Sequence, residues 1–304
     1  MDLELVIKNG TIITAQRTLK ADVGVSGEKI TAIGEGLHGG TEIDAQNKLV
    51  TPGAVDIHVH LEMPIGRFVS SDDFYTGTRA AAFGGTTAVV DFVEPAAGES
   101  MLDALSARRD LADPKVTIDY GLHMTIGPNE IEKLAQVQAV VDAGCPTFKL
   151  YMAYGLRLRD DQLLASMESI GAASGLAVIH TENWPVITSL IARNLALGNR
   201  SPSWHPLCRP AIMEGEAAGR AIDLATLSSC RLHIFHVTCQ DVVDRLITAR
   251  SRNLPVTAET CPQYLLLTQE VYDRPGVEGA LPICSPPIRG SDSQAALWKA
   301  LAEG

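Results

Sequence analysis

The chain has 304 residues, 46% apolar and 20% charged, which is enough to bury a large core as one α/β domain or two smaller ones. A net charge of -11 with no run of Lys or Arg excludes a phosphate-backbone binder, so nucleic acid is not an expected partner. The start, Met1 to Leu5, has no basic stretch leading into an apolar one, and no apolar run reaches spanning length, so no membrane is expected and a cytoplasmic location is the default.

The first fifty residues read as short strands separated by turn pairs. Leu5 to Lys8, then Asn9-Gly10, then Thr11 to Thr14 predicts a hairpin. Val23-Gly24-Val25, Ser26-Gly27 and Lys29 to Ile33 repeat the pattern, so a small antiparallel sheet is expected. Beyond residue 50 the texture changes. Apolar runs at 55–59, 87–92, 118–124, 147–152, 177–181, 232–237 and 256–260 read as buried strands. Alanine-rich amphipathic segments at 73–83, 129–143, 160–173, 215–228 and 240–251 lie between them and read as crossover helices. A last helical run, 293–302, closes the chain without an eighth strand. The pattern predicts a (β/α)8 TIM-like barrel lacking its eighth strand. A doubly wound open sheet is the alternative, but no Gly-x-Gly-x-x-Gly follows an early strand.

Barrel chemistry gathers at the C-terminal ends of strands. His58 and His60 stand two apart on the first, so they face the same way and suit one metal ion. Lys149 lies in the fourth strand, His180 ends the fifth and His236 ends the sixth. A lone histidine at a strand end is ordinarily a hydrogen-bonded structural residue, and His38, His123, His205 and His233 are read that way. A lysine inside an apolar strand is costly when charged. Lys149 is therefore either a neutral amine able to add carbon dioxide and bridge two metals, or a long side chain reaching solvent past the strand end. The six cysteines show no CxxC spacing, so neither a zinc knuckle nor a disulfide framework is indicated.

These residues, with Ser71-Asp72-Asp73-Phe74, Gly84-Gly85-Thr86-Thr87, Phe148-Lys149-Leu150-Tyr151-Met152-Ala153-Tyr154, His180-Thr181-Glu182-Asn183, Glu214-Gly215-Glu216-Ala217, Glu259-Thr260-Cys261-Pro262-Gln263-Tyr264-Leu265 and Cys284-Ser285-Pro286-Pro287, resemble the hydantoinase/dihydropyrimidinase family of cyclic amidohydrolases. The resemblance runs over essentially the whole chain. It implies two divalent metal ions, usually zinc, one held by His58 and His60 and the other by His180 and His236, with a carboxylated Lys149 as the bridging carbamate. The ions would acidify a shared water for attack on a ring amide. It further implies that Tyr154 stabilises the oxyanion and that Ser285 sits in a segment binding the substrate ring through main-chain groups. The implied reaction is opening of a hydantoin or 5,6-dihydropyrimidine ring to an N-carbamoyl amino acid.

The chain departs from the family pattern in several places. A final Asp ligand at the end of the eighth strand is absent; Asp292 comes too early, before the last helical run. Strands that would complete a composite β-sandwich begun by residues 1–50 are also absent, so the sequence reads as C-terminally truncated and the 304-residue chain is expected to be inactive or poorly soluble by itself. The loop 62–67 and the segment 154–159 differ from typical members, which leaves the exocyclic substituent open. Allantoinase and dihydroorotase are the alternatives within this chemistry, and Arg67 is the one early-loop cation that an acidic substrate would want. A non-catalytic relative acting as an assembly protein is the alternative from another class. The resemblance also implies a homo-oligomer, tetramer or dimer.

Overall fold

Asn9 turns the chain with φ 64°, but the turn does not make a hairpin. In the computed structural model, which describes residues 2–65 and 67–304, the chain divides into two compact units: Met1–Asp56 with Ala80–Ala88, and Ile57–Arg79 with Val89–Gly304. The first unit holds β1 (Leu3–Lys8), β2 (Thr11–Ile13), β3 (Thr18–Lys20), β4 (Asp22–Ser26), β5 (Lys29–Gly34), β6 (Gly39–Asp44) and β7 (Leu49–Val50). β1 pairs antiparallel with β4 and parallel with β6, whereas β2 pairs antiparallel with β3 and parallel with β7. The expected β1–β2 hairpin and the wholly antiparallel sheet are therefore corrected to two mixed sheets, in the orders β5-β4-β1-β6 and β3-β2-β7.

The reason lies in what holds Asn9. Its backbone N–H donates to Asp22 Oδ1 at 2.9 Å and its side-chain amide to Asp44 Oδ1 at 2.9 Å, so the turn is anchored to β4 and β6. Gly10 is required there, because a Cβ would come within 2.5 Å of Val50 Cγ2. The second expected turn does form a hairpin: β4 and β5 pair antiparallel around Gly27, which sits at φ 60°. Ile12, Ala21 and Val23 are buried here, with Ile7, Leu19, Val25 and Val50 packed against them.

After β8 (Ala54–Asp56), a short ribbon of β9 (Pro64–Ile65) and β10 (Phe68–Val69) precedes the main alternation. That alternation runs through β11 (Thr86–Val93), β12 (Asp119–Thr125), β13 (Thr147–Tyr151), β14 (Leu176–His180), β15 (Arg231–Ile234) and β16 (Val256–Ala258). These strands lie in one sheet in the order β16-β15-β14-β13-β12-β11-β8, and the pairing from β12 to β16 is parallel. Seven strands in sequential order with intervening helices make an incomplete (β/α)8 barrel; the described residues contain no eighth strand. Phe148, Leu150, Ala177, Ile179, Leu232 and Ile234 are fully buried, as expected of strands covered on both faces.

Helices follow the strands at Phe74–Phe83, Met101–Ala112, Val137–Asp142, Asp160–Ala172, Trp184–Ala196, Ala211–Leu227, Gln240–Ser251 and Ser291–Glu303. The segment expected as one helix at 129–143 opens instead as a 3-10 turn, Ile131–Gln136. Regular pairing also stops earlier than the apolar runs suggest. β8 ends at Asp56, so His58 and His60 lie past the strand rather than on it, in an extended segment held by Val59 N–H donating to Val90 O at 3.2 Å. His236 follows β15 with φ 44°, a turned backbone rather than a strand end.

Candidate functional site

Lys149 is the central residue of β13 and is 1% exposed. Its ammonium nitrogen lies 4.3 Å from the ring centroid of Phe235, 4.7 Å from Tyr151 and 5.5 Å from Phe92. It does not reach solvent, which removes that reading of the lysine. Burial lowers its pKa to about 7, against the opposing pull of Glu259 and Glu94.

The imidazoles stand around this group. His58 is stacked on Phe235 at 4.2 Å, and its ring centroid is 5.2 Å from both His60 and His236. His180 and His236 are 4.7 Å apart, with His180 Nδ1 and His236 Nε2 at 2.9 Å. Burial lowers the pKa of His58 to about 4 and of His60 to about 3, and that of His236 well below the usual histidine value. All three are thus neutral, the form in which a ring nitrogen donates to a metal.

Three of the other histidines have hydrogen-bond partners of their own. His123 lies between the Ile57 carbonyl at 2.9 Å and Thr147 Oγ1 at 2.6 Å, His205 donates to the Cys284 carbonyl at 2.7 Å, and His38 lies 3.0 Å from Glu42. Arg67 is exposed and sits 4.9 Å over the Phe68 ring. Its neighbour in the 62–67 loop, Gly66, lies outside the described residues.

Tyr154 turns out of β13 with φ 67°, its ring 5.4 Å from His180 and its hydroxyl 3.4 Å from Glu182 Oε2. Burial and Glu182 raise its pKa, and a hydrogen bond with the Ser285 side chain opposes them. Tyr154, His180 and Ser285 therefore come together from three separate segments.

Two carboxylates that the sequence reading left without a role enter the cluster. Glu182 Oε2 accepts from His180 Nε2 at 2.8 Å, and Arg209 stands 3.4 Å from its other oxygen. Glu259 Oε1 accepts from His58 Nδ1 at 3.0 Å across 201 residues of sequence. Their presence in the quoted motifs was the available signal; nothing in spacing alone pairs Glu259 with His58.

Whether these residues suit a metal turns on the donor set. Among the described residues no three His, Cys, Asp or Glu side chains are arranged to hold an ion as they stand. Yet His60 Nδ1 and His236 Nδ1 are buried without a hydrogen-bond partner among the described residues, and the His180–His236 contact brings two ring nitrogens face to face. Neutral imidazoles and a buried amine around one point fit a divalent, borderline-soft cation.

No family model matches the chain. It is 40% identical over 310 residues to the D-hydantoinase of Streptomyces coelicolor, covering 99% of this chain and 66% of that protein. It is 38% identical over 306 residues to the D-hydantoinase of Ralstonia pickettii, covering 99% and 67%. The solved dihydropyrimidinase from Brevibacillus agri superposes with a TM-score of 0.94 at 41% identity, over 98% of this chain and 66% of that one. The chain thus spans about two thirds of the length of the relatives it matches.

Proposed function

Because this chain belongs to the hydantoinase/dihydropyrimidinase family of cyclic amidohydrolases, we propose that its protein hydrolyses a cyclic amide, opening a hydantoin or 5,6-dihydropyrimidine ring to an N-carbamoyl amino acid. The observation that carries this reading is Lys149, sealed within the barrel among the rings beside His58, His60, His180 and His236. In this reading His58, His60, His180, His236 and a carboxylated Lys149 hold two divalent ions, zinc by choice of donors. When bound, that pair polarises the ring carbonyl and acidifies a water.

The chain's own residues do the rest. Tyr154 carries a neutral hydroxyl, kept so by burial, and donates it where negative charge develops on the carbonyl oxygen. Glu182, shared by Tyr154 and His180, holds both side chains in register. In the same reading Ser285, whose side chain is hydrogen-bonded to Tyr154, belongs to the segment that offers main-chain groups to the ring amide. Assembly as a dimer or tetramer and action in the cytoplasm belong to the same reading; no helix among the described residues is long and apolar enough to cross a membrane.

Hydrolysis of hydantoin, dihydrouracil, allantoin and dihydroorotate by a version extended to the relatives' length tests the substrate class. The first two are expected to be opened, with release of N-carbamoyl products. Turnover confined to the last two would move the protein to the allantoinase or dihydroorotase chemistry.

A further inference from the structure

Glu259 follows β16 directly, and its backbone is fixed from both sides. Its N–H donates to the Ile234 carbonyl at 3.0 Å, and its own carbonyl accepts from Val237 N–H at 2.8 Å. The side chain therefore leaves a rigid strand end. One oxygen lies 3.0 Å from His58 Nδ1, and the other 3.7 Å from His233 Nε2, whose Nδ1 is in turn 2.8 Å from Thr257 Oγ1.

A carboxylate has acceptors only, so a hydrogen bond to it requires the proton on Nδ1 of His58. Stacking on Phe235 fixes the plane of the ring, and Glu259 fixes its rotation within that plane.

We infer that Glu259 is a positioning residue for the metal centre: it locks His58 in the tautomer protonated at Nδ1, which leaves Nε2 as the lone-pair nitrogen that binds a divalent ion. The inference rests on the reading of His58 as a ligand. Carboxylates that orient ligating imidazoles in this way contribute about 10- to 100-fold to metal affinity. Glu182 stands toward His180 as Glu259 stands toward His58, but on the opposite ring nitrogen, Nε2.

Two readouts test it on this chain. Long-range proton–nitrogen NMR of metal-free, 15N-histidine-labelled protein reads the His58 tautomer, and competition with a chromophoric chelator reads zinc affinity. In Glu259→Ala, His58 is expected to lose the pure Nδ1–H form and zinc affinity to fall about 10- to 100-fold. Glu259→Gln, which keeps the volume and an accepting oxygen, is expected to retain the tautomer and most of the affinity, and it serves as the folded control.

An unchanged tautomer in Glu259→Ala would overturn the inference. So would a shifted tautomer with unchanged zinc affinity. Loss of one zinc per chain from Glu259→Gln at saturating zinc would make Glu259 a ligand and overturn the positioning role. Absence of any zinc binding by the parent chain would overturn the metal reading itself, and the tautomer measurement separates that failure from the others.

Discussion

Arg289 is buried, and each arm of its guanidinium is accounted for. Nη2 donates to Glu214 Oε2 at 2.8 Å, Nε donates to Thr238 Oγ1 at 3.0 Å, and Nη1 donates to the Arg209 carbonyl. Glu214 in turn accepts from the Thr238 backbone N–H at 2.9 Å and from the Thr238 hydroxyl. Thr238 lies two residues after His236 and Arg289 four after Ser285, so one buried network ties the turn that carries His236 to the segment that carries Ser285. Burial opposes the charge on Arg289, but Glu214 sustains it and raises its pKa. Arg289→Ala would leave Glu214 as an uncompensated buried anion, at an expected cost of about 3–5 kcal/mol in chemical denaturation. The double variant Glu214→Leu with Arg289→Met, which removes both charges, is expected to cost less than that single change. A loss under about 1 kcal/mol in Arg289→Ala would show that the pair is not holding these segments.

Between elements, packing decides against local preference where the helices Ala211–Leu227 and Gln240–Ser251 meet. A Cβ on Gly215 would come within 2.5 Å of Asp241 Cβ and 3.1 Å of its backbone carbon. Helix propensity alone favours alanine by about 1 kcal/mol, whereas overpacking costs about 1–3. Gly215→Ala is therefore expected to lower the urea midpoint. Gly219, one turn along, faces only the flexible Arg245 side chain at 3.3 Å, so Gly219→Ala is expected to be neutral or stabilising. Equal destabilisation by both would contradict this account of the crossing.

The element scale also shows what could be read from the chain. The seven strands of the barrel sheet were legible as short apolar runs, most plainly where both faces are covered, as at Ala177 to Ile179. The helix Met101–Ala112 was not among the expected ones: Arg108-Arg109-Asp110 breaks its apolar spacing, and its start is marked chiefly by the Ser100 cap, whose side chain accepts from Asp103 N–H. The Asn9-Gly10 turn was legible as a turn but not as to its partners, since pairing of β1 with β4 and β6 is set by contacts far apart in sequence. For the site, the expected ligand-type residues stood out in sequence as histidines at or just past the ends of apolar runs and a lysine inside one, while Glu182 and Glu259 received roles only once the fold set them against His180 and His58.

At the scale of the whole molecule, the barrel brings groups from successive strands to one place. Lys149 from β13, His180 from β14 and His236 after β15 meet His58 and His60, which follow the first strand of the sheet. Each alone has an ordinary structural explanation; a fully buried lysine beside four clustered imidazoles has a chemical one. If Lys149 bridges two ions as a carbamate, the ions depend on a single side chain and are lost together. The direct measurement is zinc per chain by elemental analysis, for the parent protein and for Lys149→Ala, each equilibrated with zinc and bicarbonate. The account predicts two zinc ions in the parent and none in the variant; two zinc ions retained by Lys149→Ala would contradict it.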